Sequence, residues 1–252
     1  AYGVADMSTL KVDPESGKQK PDYRWNDEEL TEQVYLNHLI GTQSIGVQPC
    51  NENSNARFGV VDVDPKNYTN FDKKFFIDII QNYNLPLIPI LSKSGGLHLY
   101  LFMSEFVPAV LIRSFLSNLL PLFKLKPDCE IFPKQTQLTK DNETGQLNKG
   151  NFINLPYFKK SERVAINVDG KAFTFDQFIE VLESNTATPE KLKTITESIE
   201  QKDLEGVDEE FDDGPPCLAH LSKIMKNPGF DGKDRFMYNY HVFVKMKYGD
   251  NW

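Results

Sequence analysis

Apolar positions along the chain follow two different periods. In "LHLYLFM", Leu97, Leu99, Leu101 and Met103 share one face while His98, Tyr100 and Phe102 share the other, which is the period of a strand. The stretch "RFGVVDVDP" behaves the same way, with Phe58, Val60, Asp62 and Asp64 on one face and Gly59, Val61 and Val63 on the other, and it predicts a strand over 58–64. Further strands are predicted near Ser44–Gln48 and in "LPLIPIL". Helical spacing appears from about Phe71 to Asn82 and in "VPAVLIRSFLSNLLPLF". In "NDEELTEQVYLNHLIG", Asn26 reads as an N-cap, acids fill the first turn and Gly41 lies near the end, so a packing helix is predicted there, with no chemistry assigned to His38. "DGKAFTFDQFIEVL" predicts a short hairpin and a closing helix, and residues 1–25 read as irregular and turn-rich. Strands alternating with helices indicate an α/β domain around a central sheet.

The pattern weakens after residue 183. Residues 184–216 are acidic and polar, with a helical stretch "TPEKLKTITESIEQ" followed by "DLEGVDEEFDDGPP", a solvated linker. After Pro216, "CLAHLSKIMKNPG" and "KDRFMYNYHVFVKMKYG" predict two short helices, the second with Phe236, Tyr240, Phe243 and Lys247 at helical spacing. The expected organisation is a catalytic domain over 1–183, an acidic linker over 184–216 and a helical accessory domain over 217–252. The chain opens without Met and stops at Asn251-Trp252, so it is expected to be the N-terminal part of a longer protein.

Composition narrows the function classes. A chain of 252 residues, 40% hydrophobic, can bury one substantial core and an appendage. No apolar run is long enough to span a membrane and nothing reads as a signal peptide, so a soluble, cytoplasmic protein is expected. Cys50, Cys129 and Cys217 lie far apart without metal-ligand spacing, which argues against zinc and disulfides and for a reducing compartment. The net charge of −8 argues against an avid coat on nucleic acid but leaves room for a local basic channel.

Candidate chemistry clusters between the strands. The turn Ser92-Lys93-Ser94-Gly95-Gly96 has two glycines that let backbone N–H groups converge and a lysine that adds charge, which suits an anion. A plain hairpin with a core histidine is the competing reading. Asp62 and Asp64 project from one strand face, and two repelling carboxylates sit together most readily around a hard divalent cation; a solvated strand end or a capping turn is the alternative. In "KPDCEIFPKQ", Asp128, Glu130 and Phe132 again alternate onto one face.

Four stretches in fixed order, "VVDVD", "LSKSGGLHLYLF", "CEIFPKQ" and "KGNFINLPYF", resemble the catalytic motifs of the archaeo-eukaryotic primase superfamily, the primase-polymerases, closest to those of tailed bacteriophages and mobile elements. The likeness extends upstream through "LNHLIGTQSIGVQP" and downstream to "GPPCLAHL". It implies an RRM-like catalytic core joined to a small N-terminal α/β unit. It implies that Asp62 and Asp64 bind Mg2+ or Mn2+ with Glu130 as third acidic ligand, and that His98 and the Ser92–Gly96 turn hold the triphosphate of an incoming nucleotide. Lys93 and Lys134 offer point charges for its β- and γ-phosphates. Asn151 and Asn154 match the family's "GN…N-P" pattern, and their amides either fix the loop or read sugar and base. Members carry an accessory helical domain for template and initiating nucleotide, for which Arg235, Lys245 and Lys247 supply charges here. One departure stands out: many members have serine two positions before the histidine, where this chain has Gly96.

Nucleotidyl transfer fits these residues, since two divalent ions can activate a 3′-hydroxyl and neutralise departing pyrophosphate. The implied partners are a single-stranded DNA template, NTPs or dNTPs and a helicase domain or protein, in a phage or mobile-element setting within a bacterial host. Two other classes compete: a different DxD metal enzyme, such as a sugar-nucleotide transferase or nuclease, and a catalytically silent nucleic-acid-binding module.

Overall fold

The computed structural model describes residues 1–12, 19–68, 70–140, 145, 147–159, 161–205 and 233–248. Two compact units emerge, Ala1–Lys193 and Thr194–Trp252. The first holds two antiparallel sheets and places the division ten residues beyond the boundary expected at 183.

The central sheet comes from β4 (Asn55–Val63), β5 (Leu87–Leu91), β6 (Leu97–Pro108) and β7 (Glu130–Phe132), in the order β5-β6-β4-β7. Helix α2 (Lys73–Asn82) joins β4 to β5, and α3 (Ala109–Leu119) joins β6 to β7. This is the β-α-β-β-α-β arrangement of an RRM-like unit, as the family resemblance implied. Gly59 lets α3 approach: a Cβ there would lie 2.3 Å from Ile112 Cγ2 and 2.9 Å from Leu116 Cδ1. Val61, Val63, Leu97, Leu99 and Leu101 are fully buried. On the other face, Val60, Ile88, Ile90, Tyr100 and Phe132 form a core with Ile153, Ala165 and Phe178. Phe178 arrives on α4 (Phe175–Asn185), whose start is fixed by a capping box between Thr174 and Gln177.

The N-terminal sheet has the order β2-β1-β3-β8, from β1 (Tyr2–Val12), β2 (Gln19–Asn26), β3 (Ser44–Val47) and β8 (Ile153–Asn154). The expectation of irregular chain over 1–25 is therefore wrong. Polar residues interrupt the alternation in "YGVADMSTLKV" and the register shifts between Asp6 and Leu10, so no clean period of two is visible. Helix α1 (Glu32–Ile40) begins at Thr31 and not at Asn26, which ends β2 and donates its amide to the Tyr2 hydroxyl. Tyr2, Val4 and Ile45 pack with Leu30, Val34 and Leu155 on one face of this sheet.

Helix α5 (Pro189–Glu205) is longer than the stretch predicted within the linker, and α6 (Lys233–Tyr248) matches the second predicted C-terminal helix. The first predicted C-terminal helix and the acid run at 206–216 lie outside the described residues. Among the described residues, no helix is long and apolar enough to cross a membrane.

Candidate active site

Strand β4 lies between β6 and β7, and the register does the positioning. Asp62 pairs directly with His98 on one side and with Glu130 on the other, while His98 pairs onward with Ile90. Directly opposed residues in an antiparallel sheet project from the same face. Glu130, Asp62 and His98 thus form one row across three strands, although 68 and 36 positions of sequence separate the first and last pairs. The next row, Phe132, Val60, Tyr100 and Ile88, is apolar and closes the site from below.

Each acid has its own neighbour. Asp62 Oδ1 lies 3.3 Å from His98 Nε2, with the imidazole only 13% exposed. Glu130 Oε1 accepts a 2.8 Å bond from Lys134 Nζ. Asp64 stands one residue past β4 as the N-cap of a 3-10 turn, Pro65–Asn67, accepting from the Lys66 amide at 3.1 Å with the Lys66 ammonium 3.5 Å from Oδ2. The capping alternative is thus realised for Asp64. Among the described residues no group of three His, Cys, Asp or Glu side chains stands ready as a metal cage. The donor chemistry nonetheless suits a hard divalent ion, because the row brings the carboxylates of Asp62 and Glu130, without thiolates, to one face and Asp64 follows at the strand end.

Neighbouring contacts hold this row rigid. The Cys129 thiol donates to the Asp62 carbonyl at 3.3 Å, and burial with Asp62 close by pushes that thiol up to about 11. Burial and Cys129 also push the Tyr68 phenol up to about 12. Arg113 on α3 donates from Nη1 to the carbonyls of Ile131 and Pro133, both at 2.8 Å, and so fastens β7 to the helix layer.

The turn between β5 and β6 is closed on itself. The Gly96 amide donates to Ser92 Oγ at 3.0 Å, Ser92 Oγ and Ser94 Oγ lie 2.9 Å apart, and the Ser92 amide donates to the Gly96 carbonyl at 3.0 Å. Ser92 is buried and serves the turn, whereas Lys93, Ser94 and Gly95 are exposed at its tip. The departure at Gly96 has a steric cause: a Cβ there would stand 2.1 Å from the Val63 carbonyl oxygen and 2.7 Å from Pro65 Cδ. The turn presses against the end of β4, and a serine cannot fit in this chain.

Asn151 and Gln135 exchange two bonds, Asn151 N to Gln135 Oε1 at 2.9 Å and Gln135 Nε2 to Asn151 Oδ1 at 2.6 Å, which is a loop-fixing arrangement. Asn154 differs, for its Oδ1 is buried without a hydrogen-bond partner among the described residues. Lys247 lies over the ring of Phe243 on its own helix at 5.4 Å, Lys245 is exposed, and Arg235 belongs to α6 by its backbone.

Arg163 was not singled out from sequence. An isolated bridge pairs Ala165 with Ile90, and the Leu91 amide donates to the Val164 carbonyl at 2.9 Å. Ala165 therefore extends the row of Asp62 and His98, and Arg163 lies two residues before it. Its Nη2 donates to Ser44 Oγ on β3 at 3.3 Å, while Nε is buried without a partner among the described residues. Burial pulls this guanidinium below its ordinary value, with Tyr23 and Tyr100 opposing. Only the edge pairing at Ile90 could have revealed it, and no period in "KKSERVAINV" announces that pairing. A cavity of about 340 Å3, lined by Phe58, Tyr100, Phe102, Tyr157, Phe178 and others, opens on the same sheet face.

A sequence model of the archaeo-eukaryotic primase domain of TOTE conflict systems matches residues 14–198, more than half of the chain. No curated protein sequence matches it significantly.

Proposed function

We propose, on the premise that this chain belongs to the archaeo-eukaryotic primase family of nucleotidyltransferases, that it is a template-dependent primase-polymerase. It extends a 3′-hydroxyl with NTPs or dNTPs on a single-stranded DNA template. The observation that carries this reading is the in-register row Glu130–Asp62–His98 with the Ser92–Gly96 turn at its rim. Asp62, Asp64 and Glu130 are the residues to hold Mg2+ or Mn2+, which when bound favour ionisation of the attacking hydroxyl and neutralise the departing pyrophosphate.

The protein's own groups account for the rest. Lys66 and Lys134 neutralise Asp64 and Glu130 in the free protein, and their flexible stems let the ammonium groups turn toward a nucleotide's phosphates. His98 is held by its strand with Nε2 toward the acidic row, where it donates to a phosphate oxygen. Arg163 contributes charge beside that of Lys93 and Lys134. A partly buried guanidinium with no carboxylate partner among the described residues is costly, and a bound triphosphate offsets that cost through charge-assisted hydrogen bonds.

The test is incubation of the protein with a single-stranded DNA template, Mg2+ or Mn2+ and labelled nucleotides. Products whose sequence follows the template are expected. Strand cleavage or sugar-nucleotide turnover without templated product would select another DxD enzyme, and binding without turnover a silent module.

A further inference from the structure

The N-terminal sheet has a second face that neither α1 nor the acidic row uses. Register places Trp25 opposite Gly3, Gly3 opposite Gly46, Tyr23 opposite Ala5 and Ala5 opposite Ser44, so these residues project together. Two of them lack side chains for a reason: a Cβ at Gly3 or at Gly46 would lie 2.4 Å from Phe152 Cδ2. The Phe152 ring thus lies on bare backbone of two adjacent strands. Trp25 meets it edge-on with centroids 5.2 Å apart, and Tyr23 tilts against it at 6.2 Å. Tyr23 remains 46% exposed, and Trp25 and Phe152 are half-buried. Lys149, paired with Asp27, holds its ammonium 5.7 Å from the Trp25 ring centre.

We infer that this face is a stacking platform for single-stranded nucleic acid. Aromatic rings beside cations are what a strand of unpaired bases needs, one set to stack and the other to neutralise phosphate. Continuity supplies the second argument. Ser44, buried on this same face, takes the hydrogen bond from Arg163, two residues before the Ala165 that bridges to Ile90, so the face adjoins the sheet that carries the Asp62–His98 row. The inference rests on the primase-polymerase reading only for where the strand leads; the binding stands apart from catalysis.

The chain has two tryptophans, so Trp252→Phe leaves Trp25 as the sole indole reporter. Titrating that full-length variant with a short oligothymidylate is expected to quench the indole emission to saturation, with affinity falling as salt rises. Tyr23→Ala in the same background is expected to weaken binding roughly tenfold, and Lys149→Gln to flatten the salt dependence, both with unchanged circular dichroism. Absence of quenching at low salt, or wild-type affinity in both variants, overturns the inference and leaves the face to a protein partner. The series is repeated with Asp62→Asn, where quenching persists. Failure of templated synthesis in the protein that retains Asp62, with quenching intact, counts against the proposed activity and not against the platform.

Discussion

Asp62 and His98 are directly opposed across β4 and β6, with imidazole Nε2 3.3 Å from carboxylate Oδ1. The two residues have separable roles. Asp62→Asn keeps the shape and a hydrogen-bonding oxygen but removes the charge, so nucleotide incorporation is expected to fall by roughly a thousandfold, consistent with losing several kcal/mol of metal-assisted charge stabilisation. Thermal stability changes little. His98→Ala is expected to weaken nucleotide affinity and lower the maximal rate while template binding stays as it was. Primer extension across a nucleotide series, beside template anisotropy, separates the two, and equal loss of template binding would identify a structural histidine.

Arg163→Met makes a counterintuitive case. Replacing a partly buried cation that has no counter-charge among the described residues with an apolar chain of similar length removes a desolvation cost, so the melting temperature is expected to hold or rise while nucleotide affinity drops. Such opposite movement marks a residue kept for ligand and not for folding. A variant that melts earlier and binds nucleotide normally would reduce Arg163 to a brace between the sheets.

The two glycines of the turn should respond differently. Gly96→Ala drives a methyl group onto the Val63 carbonyl and is expected to cost about 1–3 kcal/mol, because backbone on both sides must shift. Gly95 has a φ of +86° and open space beyond it, so Gly95→Ala costs only the left-handed backbone strain, about 1 kcal/mol. Urea denaturation of the two variants gives the ordering, and a milder effect at Gly96 would mean that the turn does not press on β4.

His38 ties α1 to the N-terminal sheet, its Nε2 donating to the Pro156 carbonyl at 2.8 Å and its Nδ1 accepting from the Ile45 amide at 3.1 Å. The second contact requires the neutral ring, because only an unprotonated Nδ1 can accept, and burial lowers its pKa below the ordinary 6.5. Between the folded and unfolded values the unfolded chain binds more protons, so this contribution is complete above 6.5 and is lost as pH falls below it. Thermal melts from neutral to mildly acidic pH are expected to show that decline, and a flatter profile in His38→Gln. Identical slopes in the two proteins would assign the acid sensitivity elsewhere.

Much of the central sheet was legible because its strands alternate cleanly. "RFGVVDVDP" and "LHLYLFM" each announced their faces, and opposing them in register required only the hairpin and crossover that the RRM-like resemblance implied. The hairpin of β1 and β2 was hidden by its polar, irregularly registered residues. Asn26 looked like a helix cap since an acid-rich stretch follows it, yet tertiary pairing with Tyr2 claimed its side chain. Arg163 was invisible for a deeper reason. Its place depends on a single bridge at the sheet edge, and a lone arginine in a polar segment carries no local signature.

Asp62 and Asp64 stand two residues apart on one chain, yet they are anchored to structures of unequal permanence. Asp62 belongs to the middle of three paired strands and can leave its place only when both ladders open, an event as rare as global unfolding. Asp64 hangs on a three-residue turn, which can open and reclose while the sheet stays whole. One carboxylate is a fixed point and its neighbour a hinge-mounted one, so on the proposed reading adjustment to nucleotides of different shape falls on Asp64. Amide exchange should accordingly be fast from Lys66 to Tyr68 and slow from Val60 to Val63.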